Sequence, residues 1–212
     1  MKTISLILLA GGSGTRMNSD VPKTFLPLRG KPMILHSFDL FISMKEINEI
    51  VVVCPKECQS IFPEGTLFAL PGEKRQDSVQ NGALKTSGEI LLIHDGARPL
   101  VTREDVLKLL EEGMSTKAAA LGSPIKNTIK QVNDNKHVEK TLDRTVLYEM
   151  YTPQLLAREV YEKGHQAAKG APLTDDVALA ERIGHPVKIV VGCASNIKIT
   201  YPIDLKLAEI VE

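Results

Sequence analysis

A chain of 212 residues, 43% of them hydrophobic, is long enough to bury one substantial core. Its 26 Lys and Arg residues balance 26 Asp and Glu residues, so the formal net charge is zero. This balance argues against a protein that binds nucleic acid or an anionic membrane through bulk charge. We therefore predict a single domain spanning residues 1–212.

Cysteine usage and hydropathy bear on the cellular setting. The three cysteines, Cys54, Cys58 and Cys193, are too few for a disulfide-stabilised secreted protein. No nearby His or Cys completes a metal site with Cys54 and Cys58. No apolar run reaches the length of a membrane span, and residues 1–3 lead directly into a strand-like run rather than a signal peptide. These features predict a protein of the reducing cytoplasm.

Short apolar runs alternate with amphipathic stretches along the chain. Such runs are typical of strands buried on both faces of a parallel sheet. They predict strands at residues 4–9, 50–53, 90–93, 118–121 and 187–191.

Helix-start signals lie between these runs. Pro32 suits the first position of a helix that continues to Leu40, and residues 102–105 resemble a capping box. Further helices are predicted to start at residues 174–176 and at Pro202, the last ending near Val211. The alternation predicts an α/β fold with a Rossmann-like, mostly parallel twisted sheet flanked by helices.

One segment, at about residues 124–145, breaks the alternation. Two polar strands at residues 127–132 and 137–142 flank a turn rich in Asn and Asp, which is the pattern of a β-hairpin. The hairpin has too few apolar residues to fold alone, so we expect it to pack against something else, such as another subunit.

The first predicted strand runs into a glycine-rich loop, AGGSGTR at residues 10–16. In open α/β sheets, ligands bind beyond the carboxyl ends of the strands. Glycines let a backbone approach a bulky ligand, although this spacing matches neither the P-loop nor the dinucleotide fingerprint. Arg16, and Lys23 behind the rigid Pro22, suit chemistry at a nucleoside triphosphate, where negative charge builds on phosphorus and departing pyrophosphate. The alternative interpretation is a tight strand-to-helix turn with solvated cations.

The loop AGGSGTRM with Pro22 and Lys23 resembles the signature of nucleotidyltransferases that activate sugar phosphates. More specifically, the chain resembles the 2-C-methyl-D-erythritol 4-phosphate cytidylyltransferase family of the non-mevalonate isoprenoid pathway. The resemblance covers nearly the whole chain and continues, in the family's order, through GEKRQDSV (72–79), HDGARP (94–99), TIK (128–130), DR (143–144), TPQ (152–154), TDD (174–176) and NIKIT (196–200). It implies a nucleotidyltransferase fold with a protruding hairpin arm. It also implies a Mg²⁺-dependent reaction of CTP with methylerythritol phosphate that gives 4-diphosphocytidyl-2-C-methyl-D-erythritol and pyrophosphate.

The resemblance implies a set of CTP-binding residues in loops and turns: Ala10, Gly11, Gly12, Gly14, Thr15, Gly72, Ser78 and Asp95. Gly72 and Ser78 match positions that recognise cytosine. Asp95 matches the acid near the ribose, the second substrate and Mg²⁺. Arg16 and Lys23 match catalytic cations at the triphosphate.

The acceptor phosphate is already ionised at neutral pH, so it needs placement and charge neutralisation rather than a strong base. The resemblance assigns its binding to Asp95, Arg98, Thr128, Arg144, Thr152 and Lys198. Arg144 and Lys198 are also counted as catalytic. Thr128 and Arg144 flank the hairpin, which in the family crosses to the partner's site. This implies a homodimer with exchanged arms.

Several residues depart from the family's usual choice. Pro71, Gly96, Thr24 and Asn127 stand where Gly, Ala, Gln and Asp are common. None of them removes a charged group assigned to chemistry. We expect them to alter loop geometry, above all at Pro71, which has no N–H donor.

Neighbouring polar residues have structural interpretations. His94, beside Asp95, is interpreted as a hydrogen-bonding residue at the end of its strand. Asp175 and Asp176 are interpreted as residues that stabilise a helix amino terminus.

Two alternative functions share part of this pattern. A ribitol-5-phosphate cytidylyltransferase shares the loop and much of the motif order, but the GARP and TIK spellings favour methylerythritol phosphate. A nucleotide-binding regulatory module without turnover is the alternative from another class. The retention of Arg16, Lys23, Asp95, Arg144 and Lys198 favours an enzyme.

Overall fold

The computed structural model describes residues 2–12 and 21–211, and these contain eleven strands. The strands are β1 (Ile4–Leu9), β2 (Pro27–Leu28), β3 (Lys31–Pro32), β4 (Glu49–Val53), β5 (Leu67–Ala69), β6 (Ile90–Asp95), β7 (Ala118–Pro124), β8 (Lys130–Val132), β9 (Val138–Thr141), β10 (Tyr148–Ala157) and β11 (Lys188–Val191). The α-helices of the same part of the chain are α1 (Met33–Ile42), α2 (Arg75–Ala83), α3 (Arg103–Thr116), α4 (Arg158–Ala168), α5 (Ala178–Arg182) and α6 (Pro202–Ile210).

Seven strands form one sheet in the order β11-β7-β10-β6-β1-β4-β5. Every neighbouring pair is parallel except the two that involve β10, which runs antiparallel to both β6 and β7. All residues of β1 and β6 are buried, as expected for strands covered on both faces. The prediction of a mostly parallel α/β sheet is therefore confirmed.

The helix starts agree with the sequence signals to within a few residues. The Thr102 hydroxyl accepts a hydrogen bond of 3.1 Å from the Asp105 amide, so the predicted N-cap of α3 is confirmed. The reciprocal half of the predicted capping box is not formed, because the Asp105 carboxylate accepts from the Cys193 amide instead. Helix α1 begins at Met33, one residue after Pro32, because Pro32 pairs with Pro27 between β3 and β2. None of the helices between residues 2 and 211 that the structure describes is both long and apolar enough to cross a bilayer.

The predicted start of a helix at residues 174–176 is wrong by a few positions. Helix α5 begins at Ala178, whose amide donates a hydrogen bond of 3.1 Å to Asp175 Oδ1. Asp175 therefore stabilises the helix start as predicted. Asp176 does not, because its carboxylate binds Arg75.

The predicted hairpin is present in a shortened form. Strands β8 and β9 pair in antiparallel fashion, and every one of their residues is exposed. Val138 is 60% exposed and Val146, just after the hairpin, is 73% exposed. The arm thus protrudes from the sheet with several of its apolar side chains, Val132, Val138 and Val146, exposed.

Candidate active site

A cavity of about 440 Å³ opens where β1 and β6 end. This is the carboxyl edge of the parallel strands, where open α/β folds bind ligands. Seven of the predicted site residues line it: Gly11, Gly12, Lys23, Gly72, Ser78, Asp95 and Lys198. The structure therefore brings the start of the glycine loop, the 72–78 turn and both lysines to one place. The remaining predicted loop residues, Gly14, Thr15 and Arg16, lie outside the described residues.

The beginning of the glycine loop is held firmly by its neighbours. Ala10 is buried, and its amide donates a hydrogen bond of 2.8 Å to the Val53 carbonyl. The Thr24 hydroxyl donates one of 3.3 Å to the Ala10 carbonyl. Thr24 thus has a structural role in this chain. Ala10 precedes the cavity rather than lining it.

The turn before α2 is closed by its own hydrogen bonds. The Gly72 amide donates to the Ser78 hydroxyl at 3.0 Å, and that hydroxyl donates to the Lys74 carbonyl at 3.3 Å. A Cβ on Gly72 would lie 2.3 Å from the Asp77 Cβ, so only glycine fits there. The two predicted cytosine-reading residues therefore form one compact unit on the cavity wall.

Lys23 reaches the cavity from the short 3₁₀ helix Lys23–Phe25. Its Nζ donates a hydrogen bond of 2.8 Å to the Ile199 carbonyl, next to Lys198 in sequence. This hydrogen bond holds the Lys23 side chain on the wall of the cavity, which Lys23 lines.

Asp95, at the end of β6, is the charged centre of the site. Its Oδ2 accepts a hydrogen bond of 2.7 Å from Lys198 Nζ, and its Oδ1 accepts two from Arg75, at 3.0 and 2.9 Å. Burial alone raises the pKa of Asp95, but Arg75 and Lys198 together hold that pKa well below its ordinary value. The carboxylate is thus ionised with both of its oxygens engaged.

A second cavity, of about 230 Å³, adjoins this centre. Its walls include Arg98 and Thr152, two of the predicted acceptor-binding residues. Arg75, Asp95 and Lys198 line both cavities. The two spaces therefore meet at the Asp95–Lys198 ion pair.

Arg98 is buried on the wall of the second cavity. Its guanidinium donates to the backbone carbonyls of Asn196 and Met150, at 2.6 and 3.2 Å, and lies 4.7 Å from the centre of the Tyr151 ring. Burial lowers its pKa. In the part of the chain that the structure describes, no carboxylate forms a salt bridge with Arg98, and its buried Nε has no hydrogen-bond partner. A buried guanidinium paired only with carbonyls and an aromatic ring suits an anionic ligand.

The Thr152 side chain contacts the end of β6, next to Asp95. Its hydroxyl accepts a hydrogen bond of 3.0 Å from the Asp95 amide and lies 3.2 Å from His94 Nδ1. The other ring nitrogen of His94 lies 3.1 Å from the Arg98 carbonyl, which can only accept, so the proton is on Nε2 and Nδ1 accepts from Thr152. Burial lowers the pKa of His94 to about 4, so the ring is neutral near pH 7. The structural interpretation of His94 is confirmed.

The two predicted arm residues lie elsewhere. Thr128 and Arg144 are exposed, and neither lines either cavity of its own chain. Arg144 Nη1 donates a hydrogen bond of 2.6 Å to the Lys126 carbonyl within the arm. Their assignment to acceptor binding therefore depends on a second chain.

Arg75 belongs to one of the sequence motifs, but the motif assigns it no role. In the structure it bridges Asp95 to Asp176, whose carboxylate receives hydrogen bonds of 2.8 Å from both Nη atoms. Arg75 and Asp176 are 101 residues apart, so nothing local in the sequence signals this pair.

The predicted Mg²⁺ requires oxygen ligands. Within residues 2–12 and 21–211, no three His, Cys, Asp or Glu side chains converge to form a metal cage. Mg²⁺ is, however, often held by one or two carboxylates together with substrate phosphates. The ionised carboxylate of Asp95, which lines both cavities, fits a Mg²⁺ held mainly by the phosphates of a nucleotide.

Comparisons with known proteins agree with this geometry. The family model for 2-C-methyl-D-erythritol 4-phosphate cytidylyltransferase matches residues 4–211. The chain is 46% identical to the chloroplastic enzyme of that name from Oryza sativa subsp. japonica, over 98% of this chain and 74% of the rice protein. It is 45% identical to the Chlamydia pneumoniae enzyme of that name, over 97% of both chains.

Solved structures of the same kind share the fold. The Thermus thermophilus enzyme of that name superimposes with a TM-score of 0.83 at 29% identity, over 98% of this chain and 97% of that one. The 4-diphosphocytidyl-2C-methyl-D-erythritol synthase of Anaerococcus prevotii gives a TM-score of 0.86 at 29% identity, over 98% and 95% of the two chains. The chain with this cleft is therefore an enzyme of the 2-C-methyl-D-erythritol 4-phosphate cytidylyltransferase family.

Proposed function

We propose that the two cavities hold the two substrates of the family's reaction, CTP in the larger one and 2-C-methyl-D-erythritol 4-phosphate in the smaller. The observation that carries this proposal is that Asp95 and Lys198 line both cavities. Substrates bound in the two spaces meet at this ion pair. The products are 4-diphosphocytidyl-2-C-methyl-D-erythritol and pyrophosphate.

In the reaction, an oxygen of the acceptor phosphate attacks the α-phosphorus of CTP. A new P–O bond forms as the bond between the α-phosphorus and the bridging oxygen breaks, and pyrophosphate leaves. Negative charge gathers on the reacting phosphoryl group and on the leaving group, so fixed cations stabilise the transition state. Lys23 and Lys198 supply this charge from the cavity walls, and Arg16 of the glycine loop is assigned to the triphosphate.

Recognition of the two substrates uses different parts of the site. The Gly72–Ser78 turn encloses the cytidine together with Gly11 and Gly12, which line the same cavity. Ala10, Gly14 and Thr15 of the glycine loop are also assigned to CTP. Arg98, which has no carboxylate partner among the described residues, faces the acceptor phosphate. Thr152 fixes the backbone of Asp95 through its hydroxyl and forms part of the acceptor wall.

Asp95 would hold the Mg²⁺ that accompanies the CTP phosphates. Bound there, the metal would supply charge neutralisation and orientation of the triphosphate. For this to occur, Asp95 keeps its ionised form and shares its oxygens with Lys198 and Arg75.

The arm completes the acceptor site of a second chain in a homodimer. Thr128 and Arg144 are exposed on the arm and line neither cavity of their own chain. The exposed Val138 and Val146 give the arm an apolar surface to bury on a partner. The three cysteines are free, which suits the reducing cytoplasm.

Pyrophosphate release with CTP, Mg²⁺ and a panel of polyol phosphates tests the assignment. We expect turnover with methylerythritol phosphate to exceed turnover with ribitol 5-phosphate, xylitol 5-phosphate and glycerol 3-phosphate. A preference for ribitol 5-phosphate would reassign the acceptor. Binding of CTP without release of pyrophosphate from any acceptor would support a regulatory module instead.

A further inference from the structure

Arg75, the first residue of α2, connects two buried carboxylates. Its Nε and Nη2 both donate to Asp95 Oδ1, and its Nη1 and Nη2 donate to the two oxygens of Asp176. Asp176 is 4% exposed and Asp95 is 7% exposed. Four of the five N–H groups of the guanidinium are therefore used inside the protein.

Arg75 and Arg98 both line the second cavity, but their side chains have different kinds of partner. Arg98 donates to backbone carbonyls, which leave its charge available to a phosphate. The charge of Arg75 is already shared between two carboxylates, although Arg75 lines both cavities. Its position in the cleft is thus not explained by anion binding.

The pairing also fixes which way the Asp95 carboxylate faces. Because both Arg75 bonds go to Oδ1, Oδ2 is directed to Lys198, whose Nζ lies 2.7 Å away. Without Arg75, the carboxylate would be free to rotate about its Cβ–Cγ bond and to accept from Lys198 through either oxygen. The ammonium of Lys198 would then lose its fixed place at the junction.

Asp176 is itself held in place from the opposite side. The Gln154 side-chain oxygen accepts hydrogen bonds from the amides of Asp176 and Val177, at 2.8 and 3.1 Å. Gln154 pairs with Ile93 in the sheet, two residues before Asp95. Strands β6 and β10, the segment that contains Asp176, and the start of α2 therefore form a closed ring of contacts next to the Asp95–Lys198 ion pair.

We propose that Arg75, anchored by Asp176, is a positioning residue that orients the Asp95 carboxylate and, through it, the Lys198 ammonium for nucleotidyl transfer. The planar guanidinium is suited to this role because it spans two carboxylates with fixed geometry, whereas a lysine ammonium acts as a single point charge. The proposal rests on the placement of the reaction at Asp95 and Lys198 under the proposed function.

The competing explanation is that Arg75 serves only to neutralise the buried Asp176. The charge-balanced double variant Arg75→Gln/Asp176→Asn distinguishes the neutralising role from the positioning role. It removes both charges of the Arg75–Asp176 pair and keeps Asp95 and Lys198. A purely neutralising role predicts normal kcat once both charges are gone. A positioning role predicts a kcat at least ~10-fold lower, since small misplacements of reacting groups cost about this much or more.

The measurements are kcat and KM for both substrates, the Kd of CTP with Mg²⁺ by calorimetry, and unfolding in urea. We expect the double variant to unfold near the wild-type midpoint and to bind CTP within about 3-fold of wild type, with the loss confined to kcat. Arg158→Gln is the matched control: this arginine donates to Gly88, Ala83 and Thr86 carbonyls at the opposite edge of the sheet. It is expected to lower the urea midpoint while kcat stays within about 2-fold.

Each outcome bears on the proposal. A double variant with wild-type kcat, or with weakened CTP binding and unchanged kcat, would overturn it. If the double variant does not fold, the single variant Arg75→Lys provides the test, because it keeps the positive charge but loses the planar guanidinium that bonds to both carboxylates. A wild-type kcat in Arg75→Lys would overturn the positioning role. The proposed function fails separately, if Asp95→Ala and Lys198→Ala keep full activity.

Discussion

Pro71 lies against Gly11 so closely that a Cβ added to Gly11 would come within 2.5 Å of the Pro71 ring. The contact joins the start of the glycine loop to the turn before α2, which form two walls of the larger cavity. The sequence predicts that Pro71, which has no N–H donor, alters the geometry of its loop. In the structure the Pro71 ring packs directly against Gly11.

This contact predicts the effect of a single methyl group. Gly11→Ala should lower kcat/KM for CTP by ~10-fold or more, because either the loop or the turn must shift, and each ~1.4 kcal/mol of lost binding is tenfold. Steady-state kinetics measure the change. The double variant Gly11→Ala/Pro71→Gly removes the ring and should recover most of the loss. A double variant as impaired as Gly11→Ala would show that the methyl group harms CTP binding directly.

The cations at the glycine loop are expected to act on the transition state. Lys23→Ala should lower kcat by ~10²-fold, the scale of losing one stabilising group, while the free energy of unfolding changes by only about 1 kcal/mol. Arg16→Ala should behave similarly. Lys108→Ala is a matched control, since Lys108 also donates to a backbone carbonyl, that of Val191, at 3.1 Å but far from the cavity. A near-normal kcat in Lys23→Ala would show that Lys23 is a solvated surface cation that takes no part in the reaction.

The 72–78 turn is expected to set the preference for cytosine. Mg²⁺-dependent turnover with CTP should exceed turnover with UTP, ATP or GTP, since a purine is larger and uracil differs at N3 and C4. Ser78→Ala should reduce the preference over UTP, because it removes the hydroxyl that holds the Gly72 amide. Competing CTP and UTP in one assay gives the ratio of kcat/KM values. Equal rates with both in the wild type would contradict cytosine recognition by this turn.

The proposed exchange of arms is open to a complementation test. Arg144→Ala and Lys23→Ala chains should each be nearly inactive. In a mixed dimer, one site would take Lys23 from one chain and Arg144 from the other, and the second site would lack both. Random exchange at equal amounts makes half of the dimers mixed, so activity should recover to about a quarter of wild type. No recovery, despite exchange shown by mass spectrometry, would place Arg144 in its own chain's site.

His94 predicts a pH dependence of stability. Its pKa falls from the ordinary 6.5 to about 4 in the folded protein because it is buried. Above pH 6.5 the ring is neutral in both states, and between pH 6.5 and 4 the unfolded chain binds the extra proton. Stability should therefore fall as pH falls through this window, by about 3 kcal/mol from this residue.

Urea unfolding at several pH values, for wild type and His94→Gln, isolates that contribution. The variant has no group to protonate there, so its stability should decline less steeply below pH 6.5. Identical slopes for the two proteins would show that His94 is not the group responsible.

The sequence is most informative where strands are wholly apolar. The runs at β1 and β6 are predicted within two residues because all their residues are buried. Strand β10 is not predicted, because it contains Pro153 and because its first half includes the polar residues Glu149, which is exposed, and Thr152, which lines the second cavity. Helix α2 is not predicted either, because its sequence, RQDSVQNGA, offers only a weak apolar face.

The candidate site, too, is predicted only in part by the sequence. Motifs and their order predict that the glycine loop, the 72–78 turn, Asp95 and Lys198 meet, and the structure brings Gly11 and Gly12 of that loop to one cavity with the others. The Arg75–Asp176 pair cannot be predicted, because only the folded sheet brings residues from α2 and from the segment before α5 together.

The attachment of the arm has a further consequence for how such a chain can vary. Pro124, at the end of β7, and Tyr148, at the start of β10, are direct cross-strand neighbours, and the Ile125 amide still bonds to the Leu147 carbonyl at 3.2 Å. The arm therefore leaves the sheet and returns to it at adjacent points, as an insertion into what would otherwise be a tight β-turn. Replacing residues 126–146 by a short Asn-Gly turn should preserve the register of all seven strands. The sheet thus places little constraint on the arm, whose length and sequence are free to follow the surface it meets.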